Sequence, residues 1–99
     1  MAKTNQIELE RWRSIDASDV ISKFADYAKC DETYVPIRNE KSKRWNVTVL
    51  ETGEYEIIAT GPKWYDTRAR RGGGGAVDLV MYLFHIDFLR AVAKIRGVL

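Results

Sequence analysis

The stretch that decides the fold covers residues 70–84 and reads RRGGGGAVDLVMYLF. Four consecutive glycines predict neither a regular helix nor a strand, because glycine loses the most backbone entropy on ordering. They suit instead a tight passage where the backbone approaches a neighbour closely. The apolar spacing that follows, with Val77, Val80 and Phe84 on one side, predicts a helix. Asp78 lies in its first turn, where a negative charge suits the helix dipole.

Basic residues directly precede the glycines, namely Lys63, Arg68, Arg70 and Arg71. A cationic loop therefore leads into a helix start, whose free N–H groups attract anions. The glycines lack the Gly-Lys-Ser/Thr of a phosphate-binding P-loop, and no βαβ unit surrounds them as in dinucleotide-binding folds. The pattern predicts a phosphate-facing site without naming the phosphate. The alternative is a flexible connection that ends at a helix start.

Length and composition limit the chain to one folded domain. Its 99 residues are 45% hydrophobic and 30% charged, with three Trp, five Tyr and three Phe, which is too apolar for a disordered segment. The formal net charge of +2 is weak evidence for nucleic acid, so the distribution of charge matters more. The polar N-terminus resembles no signal peptide, and no apolar run approaches the roughly 20 residues of a membrane span. We therefore expect a cytoplasmic protein without membrane contact.

The sequence offers little support for metal, cofactor or catalytic chemistry. Cys30 and His85 are each the only residue of their type, and a structural zinc site needs four such ligands. We therefore predict no metal and no cofactor. Asp16 and Asp19 are better explained as helix caps than as a metal pair. No nucleophile has an evident base by spacing, so we expect no catalysis from this chain alone.

Three helices are predicted from apolar spacing and capping residues. The first covers about residues 17–29, where Asp16 can act as the cap. The second covers residues 76 to 84 or 85, and the third follows Asp87, which can cap it. Residues 1–14 are a polar N-terminal arm, either loose or folded as a short helix.

The middle of the chain alternates apolar and polar residues with the period of β-strands. Residues 45–49 and 55–59 alternate on either side of a turn, which predicts a hairpin. Residues 63–66 are a candidate third strand, and residues 33–38, with a proline, are either an edge strand or an extended segment. We therefore predict an α+β domain over residues 15–99. Its small antiparallel sheet of three or four strands packs against an N-terminal helix and two C-terminal helices.

Aromatic side chains are interleaved with cations in two basic runs. Residues 63–71 hold four cations and one acid around Trp64 and Tyr65, and residues 38–44 hold four cations and one acid before Trp45. Single-strand binding requires aromatics that stack on bases beside cations that hold phosphates. A tryptophan in an alternating strand is more often a core residue, which favours that position for Trp45. Both interpretations remain open for Trp64.

A family resemblance is carried by residues 64–95, which read WYDTRARRGGGGAVDLVMYLFHIDFLRAVAKI. The aromatic pair Trp64 and Tyr65 leads to the glycine run. A helix of the type Ala-hydrophobic-Asp-hydrophobic-hydrophobic-Met follows at residues 76–81, and then an aromatic-x-x-Ala-Val core at residues 88–92. This order resembles the end of the zinc-ribbon domain that opens bacterial replicative primases. Weaker likeness extends back to Ile15.

The departure from that family lies in the metal ligands. The family binds zinc through three Cys and one His, whereas the corresponding stretches here, residues 34–37 and 64–67, contain no ligand. The chain therefore resembles a zinc-less relative, of the kind found at the front of primase-like proteins on plasmids and integrating elements. In such proteins a toprim catalytic domain commonly follows. The apolar core of the hairpin would have to supply the stability that the metal supplies elsewhere.

The resemblance implies a non-catalytic DNA-binding module that helps a DNA primase-like protein select its template in replication. Its expected partners are the single-stranded DNA template, with the toprim domain and the replicative helicase as possible neighbours. The predicted binding residues are four cations for phosphates, Trp64 or Tyr65 for stacking, and glycines for close backbone approach: Lys63, Arg68, Arg70, Arg71, Gly72, Gly73, Gly74 and Gly75.

The alternative function is a protein-interaction module that docks onto a neighbouring toprim or helicase domain. It would be favoured by an exposed apolar patch formed by Phe84, Ile86, Val98 and Leu99.

Overall fold

The computed structural model describes residues 6–99. This part of the chain forms four helices and five strands joined by turns and loops. The predictions for residues 1–5 lie outside the described residues. In chain order the elements are α1 Gln6–Arg13, α2 Ala17–Phe24, β1 Tyr27–Cys30, β2 Lys43–Val49, β3 Gly53–Thr60, β4 Lys63–Asp66, β5 Arg71–Gly74, α3 Ala76–Phe84 and α4 Phe88–Arg96. The predicted α+β class is confirmed.

The strands form one antiparallel sheet in the order β1-β2-β3-β4-β5. The predicted hairpin is confirmed as β2 and β3, in which Val47 lies opposite Tyr55. The predicted strand over residues 63–66 is confirmed as β4, with Trp64 opposite Gly73 of β5. The sheet has five strands, so the predicted number of three or four was too low.

Strand β1 occupies residues that were predicted to continue the first helix. Helix α2 ends at Phe24, and Ala25 is already extended. The backbone N–H of Asp26 then donates to the carbonyl oxygen of Thr48, and its carboxylate accepts from the N–H of Leu50 at 2.7 Å. These bonds tie the chain to the end of β2, so pairing across the sheet overrides the helical spacing. Residues 33–38 contain no strand.

Strand β5 falls on the glycine run that was predicted to lack regular structure. Pairing with β4 supplies the backbone hydrogen bonds that offset the entropy cost of ordering glycine. Glycine is required at position 73, where an added Cβ would lie 1.9 Å from Asp78 Oδ2 and 2.8 Å from Trp64 Cζ2. The backbone does approach its neighbours closely here, because the indole of Trp64 and the carboxylate of Asp78 leave no room for a side chain at position 73.

The helices cover one face of the sheet and enclose a single apolar core. Each fully buried Val, Leu or Ile contributes roughly 1.5–3 kcal/mol relative to exposure. Fully or nearly fully buried residues from both layers are Trp12, Val20, Ile21, Leu79, Val80, Leu83, Ile95, Val47, Val49, Ile57, Ala59 and Trp64. The burial of Trp12 shows why residues 6–13 form a helix, the second of the two alternatives for this segment.

The helix ends follow the predicted caps in part. The Asp87 carboxylate accepts the N–H of Arg90 at 2.9 Å and caps α4, as predicted. Asp16 occupies the N-cap position of α2 without a side-chain hydrogen bond among the described residues, so its predicted capping bond is absent there. Within residues 6–99, no helix is long and apolar enough to cross a membrane.

Candidate nucleic-acid interface

The two faces of β4 separate the residues that the sequence grouped into one site. Successive side chains of a strand point to opposite sides of the sheet. Trp64 and Asp66 are buried on the helix-covered face, whereas Lys63 and Tyr65 are exposed on the outer face. The predicted set is therefore divided between core and surface.

Trp64 is a core residue and offers no free ring for a base. Its side chain is 4% exposed, and its indole lies against the ring of Tyr82 with centroids 4.6 Å apart. The predicted stacking role of Trp64 is therefore wrong, because a stacked base needs an accessible aromatic face. Tyr65, the other candidate, is 44% exposed and keeps that role available.

A groove of about 760 Å³ lies on the outer face, between the loop after β1 and strands β3 to β5. Its wall combines aromatic, aliphatic, hydroxyl and cationic groups: Tyr34, Ile37, Arg38, Asn39, Ser42, Ile58, Thr60, Lys63, Trp64, Tyr65 and Gly73. Tyr65 lies opposite Gly72 on β5, where an added Cβ would be 3.1 Å from Tyr65 Cδ1. The missing side chain leaves the Tyr65 ring room beside the edge strand.

The charge of this groove is positive. Arg38 and Lys63 line it, and its described lining includes no acidic side chain. Within residues 6–99, the two ion pairs are Arg44 with Asp31 and Arg96 with Glu8, so neither lining cation belongs to one. Among the described residues, the groove therefore presents two cations without an ion-pair partner next to two tyrosines.

The loop that forms one wall of the groove is anchored by Asp31. Its carboxylate accepts from the Thr33 hydroxyl at 2.6 Å and from Arg44 Nε at 2.9 Å. These hydrogen bonds, with Thr33 the larger cause, lower the pKa of Asp31 to about 2. The guanidinium of Arg44 also lies 5.1 Å from the centre of the Tyr34 ring. Arg44, one of the cations in the second basic run, thus positions the wall.

The predicted phosphate ligands do not form one cluster. Arg68 and Arg70 are exposed on the turn between β4 and β5, which Asp66 shapes by accepting from the backbone N–H groups of Arg68 and Ala69. Arg71 lies opposite Asp66 on β5, with its guanidinium 5.5 Å from the centre of the Tyr82 ring. Only Lys63 of the predicted four lines the groove with Tyr65.

The start of α3 is occupied by the protein's own acid. Asp78 Oδ2 accepts the N–H of Gly74 at 3.0 Å, and the N–H of the buried Gly75 donates to the carbonyl of Pro62. A carboxylate at this helix start satisfies a donor and repels an external phosphate. The predicted anion site at the glycine run is therefore wrong for Gly74 and Gly75, whose N–H groups are already bonded.

The buried carboxylate of Asp66 has a structural role that the sequence did not predict. It is 3% exposed and accepts a hydrogen bond from the Tyr82 hydroxyl as well as from the turn. Burial, and secondly this hydrogen bond, raises the pKa of Tyr82 to about 12. A two-residue turn after Thr60 pairs Ala59 with Trp64 and Ile57 with Asp66, and this hairpin register could have placed Trp64 and Asp66 inward. No sequence signal pairs Asp66 with Tyr82, 16 residues later.

The apolar patch of the alternative function does not form as predicted. Phe84 is buried, whereas Ile86 and Leu99 are half-buried against the core. Val98 alone of the four is largely exposed. Three of the four residues therefore pack against the interior, and the four do not form one docking surface.

Among residues 6–99, no three His, Cys, Asp or Glu side chains gather into a possible metal site. No family model matches the sequence, and neither a curated protein nor a solved structure matches it. The resemblance to primase zinc-ribbon domains remains a prediction from residues 64–95.

Proposed function

We propose that this domain binds single-stranded DNA in the groove on the outer face of the sheet. One observation carries the proposal, namely that Tyr34, Tyr65, Arg38 and Lys63 line one groove whose described lining contains no acidic side chain. Aromatic faces accept any base by stacking, and cations neutralise the adjacent phosphates. Bases that are already unstacked and accessible, as in a single strand, suit this combination.

The resemblance to primase domains supports a role in template recognition. In this proposal the domain is a non-catalytic module of a DNA primase-like protein. The DNA strand lies across β3 to β5, with Tyr65 stacked on one base and with Lys63 and Arg38 near phosphates. A toprim domain would perform the polymerisation, and a replicative helicase is a further expected partner.

The charge component is tested by fluorescence anisotropy with a labelled single-stranded oligonucleotide at several salt concentrations. The slope of log affinity against log salt should be roughly −0.7 per neutralised phosphate. Arg38→Ala together with Lys63→Ala should flatten it by up to about 1.4 units. Lys23→Ala together with Arg90→Ala removes the same charge from exposed positions in the helices, and should leave most of the slope.

The stacking component is tested by Tyr65→Ala in the same assay. Loss of a stacked base costs about 1–3 kcal/mol, which corresponds to a roughly 5- to 150-fold weaker affinity. The salt slope should stay nearly unchanged. Phe88→Ala, which removes a ring of similar exposure (41%) from the helical layer, should bind like wild type.

Absence of salt-dependent binding by the wild-type domain at low ionic strength and high protein concentration would overturn the proposal. The protein-interaction module would then be the better explanation. Circular dichroism of every variant separates a lost contact from a lost fold.

A further inference from the structure

A second cavity lies on the same outer face, at the other end of the sheet. Its volume is about 250 Å³, and five of its lining residues supply side chains to this surface: Tyr27, Asn46, Thr48, Glu54 and Arg68. Tyr27 is 58% exposed and lies opposite Thr48, which in turn lies opposite Glu54. Arg68 reaches this cavity from the turn between β4 and β5.

The second cavity is too far from the groove to hold the same nucleotide. Across the sheet, Tyr27 on β1 is in register with Glu54 on β3, whereas Tyr65 on β4 is in register with Ile58 on β3. These positions are four residues apart, roughly 13 Å along the strand, and the tyrosines are three strand spacings apart, roughly 14 Å. The two rings are therefore roughly 19 Å apart diagonally. Only a chain of several nucleotides could reach both.

The two cavities differ in whether an acidic side chain lines them. Glu54 places a carboxylate in the second cavity, whereas the groove of Tyr65 has no acid in its described lining. A carboxylate repels phosphate but accepts hydrogen bonds from the exocyclic amino group of cytosine. The Asn46 amide can pair with the N6 and N7 edge of adenine. Thymine offers a carbonyl at the same place, which a carboxylate does not bind.

We infer that the cavity formed by Tyr27, Asn46, Glu54 and Arg68 is a second base subsite for the same DNA strand. It selects against thymine and for a base that carries an exocyclic amino group, as cytosine, adenine and guanine each do. Tyr27 supplies the stacking face, and Arg68 offsets the charge of Glu54. This inference rests on the proposed function, since the Tyr65 groove holds the rest of the strand.

The test measures anisotropy with oligonucleotides of roughly 12 nucleotides, a length within the range of single-strand sites. Oligo-dC, oligo-dA and oligo-dT are compared. Wild type should bind oligo-dC or oligo-dA at least about five-fold more tightly than oligo-dT, and the tighter of the two shows whether cytosine or adenine fits the subsite better. Glu54→Ala should abolish the preference. Glu51→Ala removes the same charge from an exposed position in the neighbouring turn and should keep it.

A second variant tests the geometry without changing charge. Tyr27→Ala should weaken the binding of long oligonucleotides and leave the binding of very short ones, about three nucleotides, unchanged. Tyr65→Ala should weaken both. The second subsite is excluded if wild type binds all three homopolymers equally, or if Glu54→Ala keeps the preference. The groove proposal still holds in that case if Tyr65→Ala weakens the binding of every oligonucleotide. If no oligonucleotide binds, both proposals fail.

Discussion

The two faces of the sheet differ in what a residue does, although the same strands supply both. On the covered face, Val47, Ile57 and Trp64 are buried beneath the helices. On the outer face, Tyr65 and Lys63 line an open groove. Trp64 and Tyr65 are neighbouring aromatics, yet their exposed fractions are 4% and 44%. The alternation of side chains between the two faces of a strand, rather than residue type, decides which aromatic can contact a ligand.

The comparison predicts that substitutions on the covered side change stability, whereas those on the outer face change binding. Burial removes apolar area from water, so the covered side carries most of the folding energy. Exposed positions away from special backbone features usually change stability by less than about 0.5 kcal/mol.

The largest effect is expected from Val80→Asp on α3. Val80 is fully buried, and an unpaired buried charge costs several kcal/mol, comparable with a total stability of about 5–15 kcal/mol. The variant should be unfolded by circular dichroism and by urea denaturation. Val35→Asp makes the same change at a position 78% exposed and should remain folded. A cooperatively folded Val80→Asp protein would contradict the helix face described here.

A smaller effect is expected from Gly73→Ala in β5. The new methyl group would meet Asp78 Oδ2 and the buried Trp64 ring at 1.9 and 2.8 Å, and such overpacking typically costs about 1–3 kcal/mol. Gly74→Ala is the matched control, since the nearest atom to its added Cβ would be Lys63 Cγ at 4.0 Å. Urea midpoints of the two variants should therefore differ. Equal midpoints would show that the backbone of β5 does not need to lie against Trp64.

The smallest effect is confined to alkaline pH and concerns Tyr82. Its pKa in the folded protein is about 12, above the ordinary value of 10, because burial and the bond to Asp66 favour the neutral hydroxyl. This group therefore stabilises the fold fully below pH 10, and the contribution is lost as the pH rises through 12. Urea midpoints of wild type should fall across this window, and Tyr82→Phe should reduce the fall.

The matched control for the alkaline experiment is Tyr65→Phe. Its hydroxyl lies on the outer face and has no hydrogen bond among those of the described residues, so this variant should keep the wild-type decline. If the urea midpoint of Tyr82→Phe falls with pH as much as that of wild type, the hydrogen bond between Tyr82 and Asp66 does not cause the loss of stability at alkaline pH.

Local pattern was sufficient for the elements whose amphipathic period is clear. The alternation of residues 45–49 and 55–59 predicted the β2–β3 hairpin, and the spacing after the glycines predicted α3. Asp87 marked the start of α4 because its carboxylate can satisfy a free N–H within four residues. These features depend on side chains that are near in sequence.

The missed strands depend on partners that are distant in sequence. Residues 27–30 have helical spacing but pair with β2, and the glycines of β5 have no strand propensity but pair with β4. The candidate site was predicted in part for the same reason. The basic run of residues 63–71 contains Lys63 and Tyr65, but Arg38 and Tyr34 join them only because the loop after β1 folds over β3.

The sequence by itself determined the α+β class, the central hairpin, the last two helices and an aromatic, cationic segment next to them. Tertiary structure alone decided that Trp64 is core, that Tyr65 is exposed, and that Asp78 occupies the helix start offered to an anion. The physical reason is that periodicity reports which residues share a face. Which face becomes covered, and which hydrogen-bonding groups stay free, depends on contacts between segments far apart in the chain.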